Sequence, residues 1–143
     1  MKRQHFIHAL LLSAVALSTV GCATAPQAST KARVVIQVSD SDPAKWNLAL
    51  NNANNVMKDL GAANTEIEIV AYGPGIGMLK AEAVVANRVS DAVKAGVKVV
   101  ACENTMAAQK LTRADMNPAS GYVPAGVIEI MTLQRQGWSY LRP

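Results

Sequence analysis

The sequence predicts an α/β protein, a three-layer α/β/α sandwich on a mostly parallel sheet of about five strands. Three observations indicate this fold class. Short β-branched runs alternate with helical patterns along the chain. Each connection between successive strands is long enough for the crossover that parallel pairing requires. No internal repeat or change of composition divides residues 33–143, which we therefore assign to a single domain.

The domain begins with a predicted strand over Arg33–Ser39, where β-branched residues form a short buried run. Asp42 then precedes Pro43, and this order suits a helix N-cap followed by the first helical position. The helix is predicted to reach about Leu60, with apolar residues on one face and asparagines on the other. Gly61 ends it.

The centre of the domain repeats the pattern. Thr65–Tyr72 alternates and then becomes apolar, which predicts a second strand. A glycine loop, "GPGIG", follows and leads into a helix predicted over about Lys80–Ala95 and ended by Gly96. Val97–Cys102 is the third predicted strand.

The last third predicts three helical segments and two short strands. A short helix covers "ENTMAAQKL", and Thr112–Asp115 has the sequence of a capping box. The loop "NPASGYV" includes a two-residue strand, "PAGVIEIMTLQRQ" is a helix stopped by Gly137, and "WSYL" is the final strand.

Residues 1–22 are predicted to be a signal peptide. Lys2 and Arg3 form a basic start, and Phe6–Val20 is an apolar run too short for a membrane span. Without these two cations the formal net charge falls from +4 to +2. Because no Lys/Arg cluster is interleaved with aromatic residues, we expect no nucleic-acid partner.

The end of this signal resembles a bacterial lipobox. "LSTVGC" places Gly21 before Cys22, which would become the acylated N-terminus. Lipid attachment is favoured over ordinary cleavage after a small residue such as Ala23. Residues 23–32 then form a flexible tether. The expected location is periplasmic with a lipid anchor in the membrane, the outer membrane if the cell is Gram-negative.

The predicted mature chain contains no histidine, since His5 and His8 both lie in the signal. This excludes Ser-His-Asp and Cys-His nucleophile pairs, histidine general bases and ordinary zinc sites. We predict no metal and no cofactor. Asp40 and Asp42 are interpreted as helix caps in preference to metal ligands.

Ligands of open α/β sheets gather at the carboxyl ends of the strands, where the glycine loop lies. Gly73, Gly75 and Gly77 match neither a dinucleotide fingerprint nor a P-loop. A tight turn that permits close backbone approach is therefore favoured. Its free amides remain candidates for holding a small anion.

Cys102 is the second candidate, at the end of a strand and just before a helix. Amides at a helix start stabilise a thiolate, whereas Glu103 beside it disfavours negative charge. A lone cysteine is also often a small buried hydrophobe. The residues alone leave both interpretations open. Asn104 and Thr105 are interpreted first as caps of the following helix.

Four segments together resemble the DsrE/DsrF-like (YchN-like) family, in order and over nearly all of residues 33–143. They are "KWNLALNNANNVMKDLG", "EIVAYGPGIGMLK", "VKVVACENTM" and "GYVPAGVIEIMTLQRQGWSYLRP". The resemblance implies a DsrE-like sandwich that assembles into homo-oligomers, as trimers or hexamers. It also implies that Cys102 occupies the place of the family's persulfide-carrying cysteine, and that the glycine loop lies at the same sheet edge.

The resulting functional prediction is an exported DsrE-like protein that binds or relays sulfur through Cys102, with a protein sulfur donor or acceptor as partner. If active, it is a sulfurtransferase-type carrier. Gly73, Gly75, Gly77, Asn104 and Thr105 are predicted to bind the ligand. The alternative is a non-catalytic oligomeric module that binds a small ligand or a protein, with Cys102 structural. Metal-dependent hydrolysis is a distant third hypothesis.

Overall fold

The computed structural model of the protein describes residues 31–143. The predicted signal peptide, the lipidation site Cys22 and nearly all of the predicted tether lie outside these residues. The strands are β1 (Ala32–Val38), β2 (Thr65–Ala71), β3 (Lys98–Cys102), β4 (Gly121–Val123) and β5 (Ser139–Leu141). The α-helices are α1 (Pro43–Leu60), α2 (Ala86–Lys94), α3 (Glu103–Ala108) and α4 (Gly126–Arg135). Short 3-10 helices cover Ala62–Asn64, Gly73–Leu79 and Arg113–Asp115.

The strands form one sheet in the order β4-β3-β2-β1-β5, and every neighbouring pair is parallel. The predicted fold class is therefore confirmed. Cys102, the last residue of β3, lies opposite Val123 of β4. The carboxyl ends of β1, β2, β3 and β4 meet at one edge of the sheet, which is where the predicted candidates lie.

The two faces of the sheet carry separate cores. Ile36, Ile69 and Val99 lie in the larger core, together with residues of α1, α2, α3 and the 3-10 helix Gly73–Leu79. Val70 and Val100 lie in the smaller core, which is covered by Ile130 and Leu133 of α4. Because strand side chains alternate between faces, Cys102 projects to the α4 face.

Helix α1 follows its sequence prediction. The N–H of Ala44 donates to the Asp42 side chain at 2.8 Å, so Asp42 is the N-cap, and Pro43 is the first helical residue. The N–H of Gly61 donates to the Met57 carbonyl at 3.0 Å and closes the helix. The exception is Leu60, the last residue of the helix, which lies on the predicted apolar face but is half exposed.

The helix predicted from Lys80 is shorter than expected. Lys80 forms an antiparallel bridge with Met116, and the N–H of Ala81 donates to the Asp115 carbonyl at 2.9 Å. Because these donors find partners outside a helix, α2 begins only at Ala86. The glycine loop before it, expected to form a tight turn, is coiled into a 3-10 helix. No helix within residues 31–143 is long and apolar enough to cross a membrane.

Candidate functional site

Cys102 lies at the sheet edge between two helix starts. It ends β3 and is the N-cap of α3, and its side chain meets the first residue of α4. A Cβ added to Gly126 would lie 3.3 Å from the Cβ of Cys102. The cysteine is free and only 4% exposed. The thiol therefore lies just beneath the surface at the edge where α/β ligands gather.

Opposing influences act on the pKa of Cys102. Burial, the strongest single influence, raises the pKa of the thiol. The Thr105 hydroxyl and the backbone N–H groups of Gly126, Thr105 and Asn104 act in the opposite direction. Together they outweigh burial and hold the pKa of Cys102 below its ordinary value. A thiolate is thus the form that this site stabilises.

Thr105 is held in place by the glycine segment. The N–H of Gly73 donates to Thr105 Oγ1 at 3.0 Å, which occupies the hydroxyl oxygen and leaves the hydroxyl hydrogen for Cys102. Gln109 Nε2 donates to the Gly73 carbonyl at 3.2 Å. Gly73 has a φ of +53°, a value that favours glycine. Two of the predicted site residues, Gly73 and Thr105, are therefore brought to the thiol.

The other two glycines face the opposite core. A Cβ added to Gly75 would lie 2.6 Å from the backbone carbon of Val38 and 2.8 Å from the nitrogen of Ser39. One added to Gly77 would lie 3.2 Å from the Trp46 ring. Both glycines permit close packing of the 3-10 helix against β1 and α1. This geometry favours the tight-turn interpretation, and ligand binding by these two residues stays a prediction.

Asn104 differs from its predicted role as a cap. Helix α3 begins at Glu103, because Cys102 itself has the extended backbone of an N-cap, so Asn104 and Thr105 lie inside the first turn. The N–H of Asn104 donates to the Pro124 carbonyl at 3.1 Å, and it also helps to lower the pKa of Cys102. Asn104 thus contributes its backbone, while its side chain is exposed at the rim.

Sequence reasoning missed Gly126. A Cβ added to Gly126 would lie 3.1 Å from the Cβ of Tyr72 and 3.2 Å from Val70 Cγ1. Any larger residue would push the start of α4, with its N–H, away from Cys102. The signal that could have found it is a glycine at the first position of a helix that follows a strand, a place where other residues are better helix formers.

An ion cluster, Glu68–Lys98–Glu129, lies on the same sheet face, and only Glu68 in it is fully buried. Lys98 Nζ is 2.9 Å from Glu68 Oε2 and 3.6 Å from Glu129 Oε1. Burial raises the pKa of Glu68 more strongly than Lys98 lowers it, and Glu129 raises it further. The other oxygen of Glu68 has no hydrogen-bond partner. This cluster anchors α4 to β2 and β3, below the cysteine.

Neither the acidic residues nor the cavities indicate a second centre. Asp42 caps α1, and Asp40 pairs with Arg142 at 3.5 Å. Among residues 31–143, no three His, Cys, Asp or Glu side chains lie together as a metal ion requires. A cavity of about 210 Å³ lies between α1 and α2, lined by Leu50 and Arg88, away from the cysteine.

The parallel α/β sandwich, with a cysteine of lowered pKa at the end of β3, defines a class of proteins whose candidate functional group is a thiol. The sequence profile described as the DsrE/DsrF-like family matches residues 32–143. The chain therefore belongs to the DsrE/DsrF-like family, which is associated with sulfur relay. The comparison with curated proteins gave no match.

Two solved structures have this fold. The protein of unknown function MTH1491 from Methanobacterium thermoautotrophicum is 33% identical, with a TM-score of 0.75, over 79% of this chain and 100% of that one. The conserved protein of unknown function BT1422 from Bacteroides thetaiotaomicron is 13% identical, with a TM-score of 0.64, over 78% of this chain and 94% of that one.

Proposed function

We propose that the protein carries sulfur as a persulfide on Cys102. The single observation that supports this most is the placement of Cys102 beside the starts of α3 and α4, where the Thr105 hydroxyl and nearby backbone N–H groups lower the pKa of the thiol. A buried structural cysteine has no need of such donors, because a neutral thiol is a weak hydrogen-bonding group. Thiolate and persulfide anions are stabilised by them.

The transfer step balances without an oxidant or a reductant. The Cys102 thiolate attacks the outer sulfur of a donor persulfide, R–S–SH. A bond forms between Cys102 Sγ and that sulfur, and the donor S–S bond breaks with its electron pair leaving on the donor thiolate. The proton stays on the transferred sulfur. Passing sulfur to an acceptor thiolate is the reverse of this exchange.

The absence of histidine from the predicted mature chain is compatible with this chemistry. Acyl transfer by a cysteine needs a general base, whereas sulfur exchange needs a thiolate and access to it. The groups that lower the pKa of Cys102 favour the thiolate. No further titrating group at the sulfur is required.

The burial of Cys102 favours a second candidate, a binding module in which the cysteine is structural. At 4% exposure the thiol has little surface for an incoming sulfur. In such a module the same donors would rigidify the edge of the sheet where a small ligand or protein partner binds. The two candidates differ in one measurable property, the reactivity of the thiol in the folded protein.

The test is sulfur loading of residues 31–143, in which Cys102 is the only thiol. The reduced protein is incubated with a small-molecule persulfide, desalted and weighed intact. The carrier function predicts a gain of one sulfur atom that is lost on reduction and absent in Cys102→Ser. If the wild-type protein gains nothing while folded, the binding module replaces the carrier as the proposed function.

We also propose that the protein is exported, anchored to the membrane by lipid on Cys22, and assembled into homo-oligomers. The basic start, the apolar run and the Gly21–Cys22 pair support export and anchoring. The apolar residues Val127, Ile128 and Met131, about half exposed on α4, support assembly. Mass spectrometry of the mature N-terminus tests the anchor, and light scattering of the purified protein tests for a trimer or hexamer.

A further inference from the structure

The residue after Cys102 places a negative charge beside the thiol. Glu103 is the first residue of α3, and its side chain is 43% exposed. A carboxylate that approaches a thiolate disfavours the anion. Yet the donors around Cys102 favour that anion, so the site combines opposing influences. The position of the Glu103 carboxylate, and any cation that neutralises it, therefore affects the stability of the Cys102 thiolate.

Arg113 holds the Glu103 carboxylate. Its Nη2 is 2.9 Å from Glu103 Oε1, and its Cζ lies 4.3 Å from the centroid of the Tyr122 ring. The guanidinium is thus fixed on one side by an aromatic ring and on another by the carboxylate. A planar group that stacks on a ring while donating through a rigid fork is a feature that arginine has and lysine lacks.

The stacking partner determines which side of the sheet the carboxylate occupies. Tyr122 lies opposite Ala101 and packs on the larger core. Cys102, one residue further along β3, projects to the α4 face and meets Gly126. Arg113 therefore holds the Glu103 carboxylate toward the opposite face of the sheet from the sulfur.

We propose that Arg113 is a positioning residue of the Cys102 site, which holds and neutralises Glu103 so that its charge does not oppose the thiolate. The inference rests on the proposed function in that Cys102 acts as a thiolate. The remaining charges near the α4 face, Glu68, Lys98 and Glu129, are bound to one another and do not contact Arg113. Substitution of Arg113 leaves that cluster unchanged.

The test is the titration of Cys102 itself. Residues 31–143 are labelled with ¹³C-cysteine, and the Cβ chemical shift is followed with pH in the wild type, Arg113→Gln, Glu103→Gln and the double variant. Lys94→Gln is the matched control, because it removes one cation from an exposed ion pair, with Asp91, at the other end of β3. The side chains of Arg113 and Lys94 are both mostly exposed, so the fold tolerates their substitution.

Arg113→Gln is expected to lower the thiolate-to-thiol ratio at a given pH roughly two- to fivefold, the effect of one unit charge several ångströms away near a protein surface. The double variant is expected to match Glu103→Gln, and Lys94→Gln to match the wild type. An unchanged ratio in Arg113→Gln, or an equal fall in the Glu103→Gln background, would overturn the proposal.

Failure of this inference is distinguishable from failure of the carrier function. The Cβ titration requires no sulfur uptake and no access to the thiol. A protein that titrates as expected but takes up no sulfur would refute the persulfide function and leave the role of Arg113 standing. If the protein loads sulfur equally well with and without Arg113, and the two titrations are identical, the role of Arg113 is refuted and the persulfide function stands.

Discussion

Replacing Thr105 by valine should weaken the thiolate of Cys102 without changing the volume of the side chain greatly. The Thr105 hydroxyl is the strongest of the groups that lower the pKa of Cys102. A hydrogen bond to a charged group contributes about 1.5–3 kcal/mol, and we take the lower end because the sulfur keeps its backbone donors. The expected result is a fall of about tenfold in the thiolate-to-thiol ratio at a fixed pH below the pKa.

Thr105→Ser is the matched control, because it keeps the hydroxyl that also accepts from the Gly73 N–H at 3.0 Å. The assay is the rate of iodoacetamide alkylation of the folded protein as a function of pH. The valine variant should need a higher pH to reach half of its maximal rate, and the serine variant should follow the wild type. Equal pH profiles for valine and wild type would refute the account of how this site favours the anion.

Three further predictions concern the fold around the site. Gly75→Ala should lower the free energy of unfolding by about 3 kcal/mol, because the new Cβ meets the backbone of Val38. Gly73→Ala should lower it by only about 1 kcal/mol, because the positive φ of Gly73 is the sole source of strain there. Urea unfolding compares them, and equal losses would contradict the packing argument. Burial raises the pKa of Glu68 above its ordinary value of 4.5, so the folded protein binds the Glu68 proton more tightly than the unfolded chain does. The free energy of unfolding should therefore fall as the pH rises from 4.5 to the pKa of Glu68 in the folded protein, and should change no further above that pKa. Glu68→Gln should flatten this slope, and an unchanged slope would exclude Glu68 as its source. Asp42→Ala should cost about 1 kcal/mol in thermal unfolding, and no loss would mean that the cap is replaced by water.

The strands and α1 could be predicted because their signals are local. Arg33–Ser39 and Val97–Cys102 are short β-branched runs, and Asp42 and Pro43 mark a helix start wherever they occur together. The position of Cys102 follows from the same signals, since it ends one such run. These predictions needed no knowledge of which segments pack together.

The remaining features depend on tertiary contacts. Glu68 lies in an alternating run that suggests a solvated face, yet α4 covers that face and Lys98 supplies the partner, so the carboxylate is buried. Gly126 reaches Cys102 only because the helix after β4 starts at the edge where β3 ends. Such a contact joins residues far apart in sequence, and no local pattern specifies it.

The most direct measurement of the central claim is the reactivity of Cys102 in the folded protein near pH 6, with residues 31–143 containing this one thiol. We predict that native Cys102 reacts with iodoacetamide while the protein is folded, and that the same sample gains one sulfur from a persulfide donor. A thiol that reacts with neither reagent until the protein is unfolded would contradict it.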